Sequence, residues 1–359
     1  MENKEGFIDS KELYSLIDLI GSGNELKMDE WVLLLSNISD DLSEYLFEKA
    51  RTVKEKYYGN KVYIRGLIEF TNYCKNNCYY CGIRRDNIKA DRYRLSDEAI
   101  LECVDRGHDL GFRTFVLQGG EDLYYDDDHI CRLVSSIKES WPDSAVTLSI
   151  GEKSYESYKA YYLAGADRYL LRHETAGKEH YKSLHPEEMS YDNRMRCLYD
   201  LKEIGYQVGA GFMVGSPDQR REDIARDLIF LKKFEPHMVG IGPFIAHKDT
   251  PFKEEKNGSL KETLFLLGII RLMLPKVLLP STTALATIAK KGRELGIMAG
   301  ANVIMPNLSP VKVRKKYLLY DNKLSGGLEG AEGIEILKKS LEAIGSRISA
   351  DRGDHCSLV

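Results

Sequence analysis

From residue 61 onward the chain repeats one pattern eight times, a short apolar run followed by a longer amphipathic stretch. The apolar runs are residues 62–70, 114–119, 145–150, 168–174, 207–214, 238–244, 277–284 and 302–305. Runs this short and this apolar read as strands buried on both faces. The stretches between them, at 96–110, 127–140, 154–164, 191–204, 221–234, 259–274 and 287–295, place apolar residues three and four apart, as helices do. Ser96 before Asp97-Glu98 and Ser154 before Glu156 are helix-start signals. Gly111, Gly165, Gly205 and Gly296 are stop signals. Strands joined by helical crossovers run parallel, and a parallel sheet must be covered on both faces or closed on itself. Eight units is the number that closes. The expected fold is therefore α/β, a (β/α)8 TIM-type barrel. An open doubly wound sheet is the alternative, but no Gly-rich phosphate loop follows the first strand; cysteines stand there instead.

Three regions are expected. Residues 1–60 form an N-terminal helical extension, with helical periodicity at 10–19, 28–37 and 41–58 and a break at Gly21-Ser22-Gly23-Asn24. Residues 61–310 form the barrel, and 311–359 a C-terminal segment packing on it. Within that segment 315–333 reads as irregular surface chain and 334–344 as a final amphipathic helix. The 51 Lys and Arg against 55 Asp and Glu give a net charge of −4, which argues against nucleic-acid binding through bulk positive charge. The start, Met1-Glu2-Asn3-Lys4, has no basic and then apolar leader. The most apolar stretch, 263–274, is shorter than the roughly 20 residues a span needs and contains Arg271. A cytoplasmic protein without membrane attachment is expected. Seven cysteines are too few and too uneven for a disulfide framework.

Three of them carry the strongest chemical signal. Cys74, Cys78 and Cys81 form C-x3-C-x2-C directly after the first strand. Three thiolates in one loop can converge on a metal centre, and soft thiolates select zinc or iron–sulfur. Structural zinc needs four ligands, usually as two spaced pairs, and no second pair is present. A [4Fe–4S] cluster on three cysteines leaves one iron open for a substrate or cofactor. Cys103, Cys131 and Cys197 sit on apolar helix faces and read as buried inert thiols, and Cys356 stands alone beside His355.

This loop, with Tyr80 before its last cysteine, resembles that of the radical S-adenosylmethionine enzymes. The resemblance implies one [4Fe–4S] cluster on Cys74, Cys78 and Cys81 whose open iron binds S-adenosylmethionine. It implies cleavage of that cofactor to a 5′-deoxyadenosyl radical. Tyr80 is expected near the adenine, and Gln118-Gly119-Gly120-Glu121 near the methionine amino group.

The similarity extends over roughly residues 55–320 to the HydE family of [FeFe]-hydrogenase maturases. Ile68-Glu69-Phe70-Thr71-Asn72-Tyr73-Cys74, Leu117-Gln118-Gly119-Gly120-Glu121-Asp122, Tyr169-Leu170-Leu171-Arg172-His173-Glu174-Thr175 and Ala301-Asn302-Val303-Ile304-Met305-Pro306-Asn307 carry it. By that resemblance Ser149, Glu174, Arg194 and Met213 are further cofactor-binding residues. Arg172, Thr282, Thr283 and Met305 are expected to bind substrate, and no residue is assigned to proton or group transfer. An Arg and a Glu at a buried strand end are costly without partners, and a zwitterionic ligand supplies both charges; a rim ion pair is the other reading of Arg172 and Glu174. His173, opposite its neighbours on the strand, reads as structural. Arg84-Arg85-Asp86 is either a solvated charge run or a device ordering the cluster loop. Ser281-Thr282-Thr283 is a polar patch inside strand seven, and its hydroxyls either bond neighbouring strands or line an anion pocket. Tyr317 and Tyr320 are compatible with a lower cavity entrance, or with exposed aromatic packing. Some HydE proteins carry a second cysteine set near the C-terminus; residues 321–337 contain none, so a single cluster is expected.

The function so implied is action of the adenosyl radical on a small sulfur- and iron-containing, cysteine-derived precursor in assembly of the diiron cofactor of [FeFe] hydrogenase. The expected partners are that small molecule, an electron donor of flavodoxin or ferredoxin type, and other hydrogenase maturases. A methylornithine-synthase-like or biotin-synthase-like enzyme, and a non-enzymatic cluster scaffold, are the alternatives.

Overall fold

The computed structural model describes residues 10–326 and 330–358. The first barrel strand comes in two pieces, β1 (Lys61–Ile64) and β2 (Gly66–Thr71). Then come β3 (Thr114–Gly119), β4 (Ala145–Ser149) and β5 (Arg168–Leu170). β6 (Gln207–Ala210) is extended by β7 (Met213–Val214), and β8 (Met238–Val239) by β9 (Gly242–Pro243). β10 (Val303–Ile304) is the last of the ring. The strands β2, β3, β4, β5, β6 and β8 lie side by side in that order, all parallel.

The remaining gap is closed by backbone hydrogen bonds. Val239 N–H donates to Leu278 O, Ser281 N–H to Val303 O, Tyr63 N–H to Asn302 O and Leu308 N–H to Leu67 O. The eight runs thus form a closed ring without free edges, as the eightfold repeat predicts. Two expected strands are broken where β6 and β8 approach. A Cβ on Gly211, whose φ is +152°, would lie 2.0 Å from Gly240 O. Only glycine permits that contact.

Strand seven is shorter than expected. Pro280 makes a single bridge to Val303, and the chain then turns into a helix at Thr283. Proline offers no N–H to a sheet partner, and pairing ends one residue later with Ser281 N–H on Val303 O. Thr282 is the residue before that helix and Thr283 its first residue, which corrects their placement inside a strand. One expected helix over 287–295 becomes two.

The helices before the barrel are α1 (Ser10–Gly21), α2 (Met28–Ser36) and α3 (Asp40–Tyr58). Around the ring run α4 (Asp97–Asp109), α5 (Asp127–Ser140), α6 (Tyr155–Leu163), α7 (Lys178–Leu184), α8 (Tyr191–Ile204), α9 (Arg221–Phe234), α10 (Leu260–Met273), α11 (Thr283–Ile288) and α12 (Gly292–Met298). Ser96, Asp126, Ser154, Ser190 and Ser259 each accept a backbone N–H at the start of a helix. The first three helices bury Leu16, Ile17, Trp31, Leu34 and Leu46 in the same apolar core as the ring helices.

After the ring come α13 (Val311–Arg314), α14 (Ile334–Glu342) and β11 (Arg347–Ser349). β11 adds in parallel to β1, and the tail behind it crosses the starts of the strands. There the fully buried Arg168 donates to Asp354 Oδ1 at 2.7 Å and to Arg352 O at 2.9 Å. Gln207 Nε2 donates to Asp354 at 2.7 Å. The tail therefore stoppers the N-terminal end of the barrel. At the opposite end, residues 315–326 cross the mouth. They are not simple surface chain, because Tyr317 is buried and Lys323 descends to pair with the fully buried Glu69. Among the described residues no helix is long and apolar enough to cross a membrane.

Candidate functional site

The cysteine loop leaves the C-terminal end of β2, where barrels of this kind place their chemistry. Its shape is held from several sides. Lys75 N–H donates to Glu121 O at 2.9 Å, Tyr79 N–H to Leu184 O at 3.0 Å and Arg85 N–H to Asn76 O at 2.8 Å. Arg92 gathers the carbonyls of Asn72, Ile83, Arg84 and Asn87. Arg84 Nε donates to Asn77 Oδ1 at 2.6 Å, whereas Arg85 is exposed beside Asp86 and Glu188. The two arginines divide the readings between them, one ordering the loop and one solvated.

Cys74, Cys78 and Cys81 line one cavity of about 290 Å³ at the barrel mouth. Burial pushes all three thiols upward, with neighbouring thiols adding to it at Cys78, and Cys81 rises to about 12. Thiols in that state are inert unless a metal takes the proton's place. Among the described residues no three His, Cys, Asp or Glu side chains converge on a single ion. A four-iron cluster spreads its ligands over separate irons, so three cysteines set around one cavity fit it in a way that one metal ion does not. The donor set and the cavity fit a cluster with one corner open.

Beside the thiols lies a row of polar strand ends. Register places Glu69 opposite Gln118 and Gln118 opposite Ser149. Gly119 and Gly120 follow, and Gly120 lies so close to the cysteine loop that a Cβ would sit 2.1 Å from Tyr73 O. Glu121 is buried, accepts the Glu152 N–H at 2.9 Å and faces Lys75 Nζ at 3.3 Å. Arg194, on α8, donates to Glu152 Oε1 at 2.5 Å and to Arg172 O at 2.7 Å.

Arg172 and Glu174 follow β5, which ends at Leu170, short of the expected 168–174, with Glu174 making a single bridge to Phe212. Glu174 has φ +64°, held by its N–H to Gly211 O at 3.1 Å. Arg172 Nη2 lies 3.2 Å from Glu174 Oε2, but both atoms, with Arg172 Nε, are buried without a hydrogen-bond partner. Two opposite charges sit close yet misaligned, each with bonding capacity directed at the cavity. His173 points the other way, toward α9. Its Nε2 is 3.2 Å from Asp227 and its Nδ1 3.2 Å from the Gly211 N–H.

Tyr80 reaches His185, which follows α7. The tyrosine oxygen is 3.2 Å from His185 Nε2, and His185 Nδ1 is 2.9 Å from Tyr181 O. Burial lowers His185 to about 3, so its ring is neutral. Nδ1–H then donates to the carbonyl and Nε2 accepts the Tyr80 hydroxyl proton. Sequence reasoning misses His185 because α7 is seven residues long and largely polar, with no apolar stripe to announce it.

Of the expected site residues, Cys74, Cys78, Cys81, Tyr80, Gln118, Gly119, Gly120, Glu121, Ser149, Arg172, Glu174, Arg194 and Met213 all line this one cavity. Thr282, Thr283 and Met305 do not. Thr282 precedes α11, beside Gly242, with its hydroxyl buried and unbonded. Met305 packs against the apolar group of Tyr58, Tyr63, Met238, Leu278 and Val303. Tyr317 and Tyr320 line the cysteine-side cavity, which corrects their expected place at a lower entrance. Lys323, paired with Glu69 beneath the crossing segment, is a second residue without a local signal.

Residues 68–231 match the Radical SAM superfamily. The chain belongs to that superfamily and is a radical S-adenosylmethionine enzyme. Among its relatives, the [FeFe] hydrogenase maturase subunit HydE of Thermotoga maritima is 46% identical over 311 residues, 87% of this chain and 88% of that protein. The 3-methylornithine synthase of Methanosarcina barkeri is 30% identical over 351 residues, 94% of each chain. The crystal structure of methylornithine synthase superposes with a TM-score of 0.83 at 28% identity, covering 96% of this chain and all of that one. The resemblance to HydE and the barrel fold both stand.

Proposed function

We propose that this chain is a HydE-type maturase. It would use the adenosyl radical on a small sulfur- and iron-containing precursor derived from cysteine, during assembly of the [FeFe]-hydrogenase active site. One observation carries the chemistry: three half-buried thiols and the misaligned Arg172–Glu174 charges face the same cavity at the barrel mouth. The identity of 46% to HydE against 30% to 3-methylornithine synthase favours maturation over mutase chemistry.

Cys74, Cys78 and Cys81 would hold one [4Fe–4S] cluster. When bound, the cluster supplies one electron that breaks a carbon–sulfur bond of S-adenosylmethionine and yields a 5′-deoxyadenosyl radical. Every other contribution is made by side chains and backbone. Gly119 and Gly120 let the strand end pack directly against Thr71, Tyr73 and Cys74, and Glu121 would accept from the methionyl amino group, with Gln118 and Ser149 on the same row. Tyr80, oriented by neutral His185 and packed against the apolar group that holds Met213, would lie near the adenine. Arg194 holds Glu152 and the Arg172 carbonyl in place, and Glu174 accepts from the cofactor. Arg172 grips a substrate carboxylate or other anionic group through its unbonded nitrogens. The closed ring and the segment over its mouth exclude water from the radical. The reading brings with it a one-electron donor of flavodoxin or ferredoxin type, other hydrogenase maturases as partners, and a cytoplasmic setting.

A mutase like methylornithine synthase is the second reading, favoured by the superposition over the whole of that enzyme. Two experiments test the proposal. Anaerobically reconstituted protein, given dithionite and S-adenosylmethionine, should release 5′-deoxyadenosine, and none above blank overturns the enzyme reading. Supplying the protein to a host lacking its own maturase of this type should restore active hydrogenase; methylornithine as the product instead would decide for the mutase. Cys78→Ala should abolish the iron–sulfur absorbance near ~400 nm, and retained colour refutes the ligand assignment.

A further inference from the structure

Basic residues are concentrated in two segments of this chain, although Lys75, Arg85, Arg94 and Arg314 pair with acids from elsewhere. Residues 73–94, the cysteine loop, hold six Lys and Arg against two Asp. Residues 311–316 hold four basic residues and no acidic one. Together these segments carry +8 in a chain of net −4, which leaves −12 elsewhere. The fold brings them into contact. Lys316 Nζ pairs with Asp91 Oδ2 at 2.9 Å, and Lys315 and Lys316 line one basin with Gly82 and Lys89.

Between them lies a second basin, of about 460 Å³, separate from the inner cavity. Gly82, Lys89, Lys248, Lys315 and Lys316 line it. Its two acids, Asp249 and Asp91, pair with Lys89 at 2.8 Å and Lys316 at 2.9 Å, and Lys89 is largely exposed and free to turn to a partner's carboxylate. Ile88 stands beside it, 94% exposed, an apolar tip next to a basic ring. That is the anatomy of a charge-steered contact.

The position of the basin gives it a purpose. Gly82 follows Cys81 directly, and Cys81 and Ile83 also line the inner cavity. The basin is therefore the outer side of a cysteine-loop wall whose inner side holds the chemistry. A Cβ on Gly82 would sit 2.2 Å from Leu318 O and 2.4 Å from the His247 ring, so glycine keeps this wall thin. The inner cavity is where cofactor and substrate fit, so an electron carrier needs another face.

We propose that this basin docks the protein that delivers the electron, an acidic one-electron carrier whose carboxylates meet Lys89, Lys248, Lys315 and Lys316 around Ile88. The proposal rests on the reading that the three cysteines hold an iron–sulfur cluster. One electron leaves the carrier and one enters the cluster; no bond is made or broken in docking.

The test uses the full reconstituted chain and, as probe, a chemically reduced acidic flavodoxin, with cluster bleaching followed anaerobically by stopped flow. Opposite charges on the basin and the carrier should make the second-order rate fall about tenfold or more as salt rises from ~0.05 to ~0.5 M. At low salt the charge reversals K89E, K248E and K315E combined should lower it about as much. Bleaching by photoreduced deazariboflavin, a neutral small reductant, should match the parent protein. Ile88→Asp, at a fully exposed position, tests the same contact if the triple variant loses its cluster. A carrier rate indifferent to salt and equal to the parent in the variants overturns the docking site. Failure of the parent protein to bind iron and sulfide at all would instead sink the cluster reading on which it stands.

Discussion

At the residue scale, the informative pair is Arg172 and Glu174. An ion pair made for stability would be aligned and hydrogen-bonded, because an unsatisfied buried charge is costly. Here the charges come within 3.2 Å and still leave three polar atoms without partners. A ligand with opposite charges completes what the protein leaves open. Arg172→Met should therefore shift the unfolding free energy by less than about 1 kcal/mol. It should also lower substrate-dependent turnover by roughly 30- to 100-fold, the value of a charged bidentate contact. Thermal unfolding and product assay together check both halves; a large loss of stability with normal turnover would make the pair a structural rim contact. The pair's residue types were legible in the sequence. Their misalignment was not, because it depends on the left-handed backbone at Glu174 and its bond to Gly211.

Helix α7 does its work through one residue at its end. Its length of seven residues gives it little intrinsic stability, so tertiary packing holds it. His185 stacks on Tyr181 with ring centroids 4.0 Å apart and receives the Tyr80 hydroxyl. Burial lowers its pKa from 6.5 to about 3. Between those values the unfolded chain binds a proton that the folded chain refuses. Stability attributable to His185 is then complete above about pH 6.5 and is lost as pH falls toward 3, by about 2 kcal/mol at pH 5. Denaturant unfolding at pH 7 and pH 5 should show a smaller loss in His185→Gln than in the parent protein; equal losses would mean His185 takes no part. Strand seven teaches the complementary lesson. Its apolar run extends to Ala284 in the sequence, yet pairing stops at Ser281 N–H because Pro280 and the turn into α11 intervene.

On the scale of the whole molecule, the two ends of the barrel are sealed by the same C-terminal region. Residues 315–326 cross the mouth, and the tail after β11 crosses the base. The base depends on Arg168, fully buried, against Asp354. Although burial pushes Asp354 upward, Arg168 beside it, with Gln207 and Arg352, holds its carboxyl well below the usual range. That contribution is present above the ordinary carboxylate pKa of about 4 and disappears as pH falls below it. Asp354→Ala leaves a buried guanidinium without a carboxylate and should cost about 3 kcal/mol in unfolding free energy at pH 7, with a smaller difference from the parent at pH 3. An unchanged midpoint at pH 7 would show that the tail is not anchored there.

Read alone, the sequence determined the class of fold and the ligand loop. Burial periodicity, helix caps and the spacing of Cys74, Cys78 and Cys81 are written over stretches of a few residues, where backbone geometry leaves few solutions. Tertiary structure alone decided which charges share a cavity, that Thr282, Thr283 and Met305 lie outside it, and that two basic segments meet behind Cys81. Those outcomes rest on contacts such as Lys323 with Glu69, 254 positions apart. No local pattern encodes such a pairing, because it exists only once the ring has closed.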